Sequence, residues 1–109
     1  MIQILHFNLS LASSPKSIPQ GCFAEKEKSE KLLTDNYASF SSNSDPKAVI
    51  VYCSTVARDK GHEYFAVRNQ IECWTSKDIA DTFNKYGKSD NCAGGVGKEM
   101  ANFVYRIQA

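Results

Sequence analysis

A chain of 109 residues with 13 basic and 12 acidic side chains, for a net charge of +1, has the length of one domain and lacks the one-sided basic charge of a nucleic-acid binder. It contains no apolar run long enough to span a bilayer. With 42% hydrophobic residues it can bury one modest core, which its four cysteines could reinforce.

The first residues, MIQILHFNLSLASS, alternate Leu5, Phe7, Leu9 and Leu11 with His6, Asn8 and Ser10. That is the period of a half-buried strand and predicts one over residues 5–11, packed beside the last strand of the chain. A signal remnant is the competing reading. Against it stand the missing basic start and the interruptions by Gln3, His6 and Asn8. Asn8-Leu9-Ser10 is also a glycosylation sequon, which makes Asn8 a candidate acceptor. SSPKSIPQG, with Pro15, Pro19 and Gly21, reads as a connector. AEKEKSEKLLTD reads as a solvated turn or short helix that tucks in Leu32 and Leu33, and SFSSNSD as a polar loop.

Asp45-Pro46 then opens a helix, with aspartate to cap the free amides and proline suited to the first helical position. Val49, Cys53 and Val56 share one face, flanked by Tyr52 and Ala57, and Gly61 falls just past the end. HEYFAVRN and QIECWTS read as two strands turning at Asn69-Gln70, with Ile71 and Cys73 on one face and Glu72 and Trp74 on the other. Thr75-x-x-Asp78 resembles a capping box before a second helix bearing Ile79, Ala80, Phe83 and Tyr86, which stops at Gly87. FVYRI closes the chain as a strand. The expected fold class is α+β: a small disulfide-stabilised domain over residues 1–109, mostly antiparallel sheet with two helices. Residues 1–20 supply the N-terminal strand and connector, and residues 21–107 the cysteine framework.

The stretch NCAGGVGKEMANFVYRI looks at first like a phosphate-binding loop, but its spacing is wrong. Cys92 stands where the first Walker glycine belongs, Glu99 follows Lys98 where Ser or Thr would hold magnesium, and Met100 occupies the third glycine position of a dinucleotide loop. The glycines are expected to turn the chain sharply after Cys92.

Cys22, Cys53, Cys73 and Cys92 lie far apart, and only His6 and His62 could join them as ligands, which disfavours zinc. Any one of them could be a buried thiol. An even number in a short chain favours two disulfides and an oxidising compartment.

GCF at 21–23, AVIVYCSTVARDKGHEYFAV at 48–67, ECWTS at 72–76 and CAGGVGKEMANFVYRI at 92–107 together resemble a cysteine-rich extracellular module of marine invertebrate secreted and matrix proteins. That module is distantly similar to WSC domains, which carry a further cysteine directly after the tryptophan of ECW, where Thr75 stands here. The resemblance covers residues 21–107. It implies a secreted, extracellular protein that recognises polysaccharide, and it transfers no individual contact residue.

Of the three possible cysteine pairings, Cys22–Cys92 with Cys53–Cys73 is preferred. Cys53 faces inward from its helix and Cys73 lies on the strand pair that follows, while Cys22 and Cys92 would tie the start of the module to the turn before its last strand.

The candidate ligand-binding residues cluster at 64–74. Trp74 or Tyr64 offers a flat face for a sugar ring, and Arg68, Asn69 and Gln70 offer polar contacts to hydroxyls. The plainer readings are that Trp74 packs in the core beside Cys73 and that 68–70 is a solvated turn. His62-Glu63 has no nucleophile or second carboxylate placed beside it, so no catalytic residue is assigned; no metal or cofactor site is expected either. The expected function is a secreted, non-catalytic module for glycan or extracellular-matrix recognition. The alternatives are a secreted effector, toxin- or inhibitor-like, acting on a protein target, and a purely structural matrix protein.

Overall fold

The computed structural model of the chain describes residues 15–25, 40–41, 43–77 and 79–108. The strand expected over 5–11, the sequon at Asn8 and the segment with Leu32 and Leu33 lie outside the described residues. Those described form β1 (Lys16–Ala24), α1 (Pro46–Asp59), β2 (Tyr64–Arg68), β3 (Glu72–Trp74), α2 (Ile79–Thr82), β4 (Cys92–Ala93), β5 (Val96–Gly97) and β6 (Ala101–Gln108). Four strands make one antiparallel sheet in the order β1-β6-β2-β3, and β4 pairs with β5 in a separate hairpin. The fold is α+β, as the pattern of elements predicts. Among the described residues no helix is long and apolar enough to cross a membrane.

The register sorts the side chains. Ala66 pairs with Trp74 and Val104, and Arg68 with Glu72 and Asn102, so these share one face; Val67 pairs with Cys73 and Phe103 on the other. Helix α1 covers the second face, where Val49, Cys53, Ala57, Phe65, Val67, Cys73, Val96 and Tyr105 form the main core. The first face carries a smaller cluster of Phe23, Ala66, Trp74 and Val104, packed by Tyr64, Ile79 and Phe83.

Helix α1 begins and ends as its sequence dictates. The Asp45 carboxylate accepts from the Lys47 amide at 3.1 Å, and Pro46 takes the first turn. At the other end the Gly61 amide donates to Arg58 O at 2.9 Å and the His62 amide to Ala57 O at 3.0 Å. Those paired bonds are a Schellman termination, with glycine at its left-handed position.

Both preferred disulfides are present. Cys53–Cys73 fastens α1 to β3 with a Cα separation of 5.3 Å, and Cys22–Cys92 joins β1 to β4 at 6.1 Å. The glycine cluster is structural. Gly94 and Gly95, at φ 64° and 81°, form the two-residue turn of the β4–β5 hairpin. The Tyr105 hydroxyl donates to Gly95 O at 2.6 Å, and burial pushes its pKa up to about 12. At Gly97 a Cβ would collide with the Ala101 carbonyl and lie 2.7 Å from Val67 O, so the backbone approach there requires glycine.

Two expectations are corrected. The connector reading of SSPKSIPQG fails, because this segment supplies most of β1. The strand sits at the sheet edge, where a proline costs no interior ladder bond, and the register shifts between Pro19 and Gly21. Strand β6 is paired on both sides, by β1 and β2. The second helix is also shorter than its pattern suggests: α2 is a single turn, and residues 83–86 continue as turns.

Candidate functional site

The structure separates the five residues expected to bind ligand into three environments. Trp74 is only 4% exposed and Arg68 only 9%. The Arg68 guanidinium lies over the Trp74 ring, 3.3 Å from its centroid, as a cation–π pair, so it occupies an indole face that a sugar would need. Tyr64 is half-buried and stacks on Phe83 with centroids 5.8 Å apart. Only Asn69 and Gln70 are exposed.

Arg68 belongs to a buried polar network. Its Nη1 donates to Glu25 Oε2, and its Nε lies 3.5 Å from Glu72 Oε1. The Trp74 indole N–H donates to Glu72 Oε1 at 3.0 Å, and the Asn102 amide donates to Glu25 Oε1 at 2.6 Å. Burial draws the guanidinium pKa down while Glu72 pushes it back up. Arginine's intrinsic pKa is high enough that it stays charged. Glu25 and Asn102 gave no sign of this role in the sequence, since they lie 43 residues before and 34 residues after Arg68. Sheet register alone brings them together.

The exposed surface is built on this frame. Asn69, Gln70 and Met100 are the described non-glycine residues with positive φ, at 51°, 71° and 60°. They meet at one end of the sheet, because the Asn69 amide donates to Lys98 O at 3.4 Å and the Gln70 amide to Gly97 O at 2.7 Å. The Met100 carbonyl accepts from the Glu25 amide at 3.2 Å, which ties the turn at 98–100 to the buried network below. Asn69, Gln70, Lys98, Glu99 and Met100 are all exposed, Met100 at 43%. The result is a small exposed surface of two amides, one ammonium, one carboxylate and a thioether.

Gln70 holds a conformation that glycine adopts without steric cost. Gln70→Gly should therefore raise unfolding stability by about 0.5 to 1 kcal/mol, read by urea denaturation. A loss of stability would mean that the Gln70 side chain holds the turn.

No family model matches the chain, and neither a curated protein nor a solved structure matches it. The reading of function therefore rests on the geometry.

Proposed function

We propose that the chain is a secreted, non-catalytic binding module that recognises a glycan or matrix component with the surface formed by Asn69, Gln70 and the turn at 98–100. The observation that carries this is the gathering of Asn69, Gln70 and Met100 in left-handed backbone at one exposed end. A non-glycine residue in that region costs about 1 kcal/mol, and strain of this kind tends to collect where side chains must be displayed. Side-chain amides offer both a donor and an acceptor, which suits vicinal hydroxyls. Arg68 and Trp74 serve as the frame beneath the surface. The two disulfides are compatible with an extracellular setting.

A shallow surface of this size binds weakly alone, so a repeating polymer or several modules would supply avidity. The test is a glycan array probed with the oxidised protein and with the Asn69→Ala/Gln70→Ala variant. Binding that the variant loses without losing stability supports the reading. The exposed Met100 favours the effector alternative, in which the same surface meets a protein. A silent array together with a purified protein target whose binding depends on Met100 would replace the glycan reading.

A further inference from the structure

His62 lies at the other end of β2 from the hairpin tip, roughly 20 Å away by strand rise. Its backbone is held by the bond to Ala57 O, and its ring Nδ1 is 3.1 Å from the Thr75 hydroxyl. Thr75 is buried and donates its own hydrogen to Tyr64 O at 2.6 Å. A hydroxyl whose hydrogen is already donated can only accept, so Nδ1 carries the ring hydrogen. In the neutral ring Nε2 is then the lone-pair nitrogen, and among the described residues it has no hydrogen-bond partner.

The same bond holds residues 60–63 against 74–77 and brings Lys60 and Lys77, both exposed, to the neighbourhood of the ring. Burial, then Lys60, then Lys77 keep the His62 pKa below its ordinary value. Of the described carboxylates adjoining Lys60 and His62 in the chain, Asp59 lies 3.6 Å from Arg58 and Glu63 lies 3.9 Å from Arg106. The charges of Lys60 and Lys77 are felt at the ring, and each repels a metal cation and attracts an anion.

We propose that Lys60, His62 and Lys77 form a second binding site, for an oxyanion group of an acidic polysaccharide, either a sulfate ester or a carboxylate. The polysaccharide part of this rests on the glycan reading above, whereas the oxyanion part stands on the geometry around His62. The protonated ring donates from Nε2 in a charge-assisted bond that the neutral ring cannot make. Anion binding and protonation therefore reinforce each other, so affinity rises as pH falls through the histidine range and the bound anion raises the His62 pKa.

Nuclear magnetic resonance titration of the His62 ring separates the two parts. Sodium sulfate, against sodium chloride at matched ionic strength, should raise the His62 pKa. Dextran sulfate should bind about 5- to 10-fold more tightly at about pH 5 than at about pH 8, and neutral dextran should leave the ring unmoved. His62→Asn should abolish that pH dependence, and Lys77→Gln should weaken binding about 2- to 5-fold. A ring indifferent to sulfate overturns the oxyanion site, whatever happens at the hairpin tip. Duplex DNA binding as tightly as dextran sulfate overturns the polysaccharide assignment. The hairpin reading is judged separately, by Asn69→Ala/Gln70→Ala on neutral glycans.

Discussion

Replacing Arg68 with methionine is expected to lower unfolding stability by about 3 to 5 kcal/mol. Two carboxylates, Glu25 and Glu72, face this single guanidinium, and the Glu25 side chain is only 4% exposed. Removing the cation leaves Glu25 buried without its counter-charge, and the desolvation already incurred by the carboxylate is no longer offset. The face of Trp74 under the guanidinium also loses its partner. Glu25→Gln in the Arg68→Met background removes the stranded charge and should recover part of the loss. The contrast with the exposed tip is one of size and sign: Gln70→Gly is expected to raise stability, and by only about 0.5 to 1 kcal/mol. Equal urea midpoints for wild type and Arg68→Met would show that the buried network contributes nothing. A binding defect in Arg68→Met would be secondary to a weakened frame.

Opening the disulfides is expected to have effects of similar size. The chain-entropy relation gives about 3 kcal/mol for Cys53–Cys73, 20 residues apart, and about 4 for Cys22–Cys92, 70 apart. Replacing both members of either pair by alanine should lower stability by these amounts. For the fully buried Cys53 and Cys73 the lost sulfur packing adds to the effect. Together the two bonds contribute about 7 kcal/mol, comparable with the whole stability of an ordinary domain at about 5 to 15. The reduced chain should therefore be largely unfolded, as seen by amide hydrogen exchange. A reduced chain as protected as the oxidised one would remove the physical reason for an oxidising compartment.

Much of this frame was legible in the residues. Asp45-Pro46 and Gly61 mark α1 because capping chemistry is local. The inward face of Cys53 follows from helix periodicity, and Cys73 lies on the strand pair that follows, a short return path that favoured their pairing. Strand β1 was hidden because Pro15, Pro19 and Gly21 signal a loop, and only the sheet order reveals that Pro19 lies on an edge strand. The burial of Arg68 was hidden for a different reason. Only the register of β2 against β3 puts it on the Trp74 face, and an arginine before Asn-Gln reads as solvated unless its counter-charge is known. Glu25 belongs to another strand region, and no local pattern couples the two. The same holds for Met100, whose turn is brought to Asn69 and Gln70 by the Asn69–Lys98 and Gln70–Gly97 backbone bonds.

The most direct measurement of where ligand binds is amide chemical-shift mapping of the oxidised protein with a glycan selected from the array. Shifts confined to Asn69, Gln70 and Lys98 to Met100, with the Trp74 indole N–H signal unmoved, are the expected result. Shifts centred on Trp74 and Tyr64, with the Arg68 guanidinium displaced from the indole, would contradict it and return the binding site to the aromatic face.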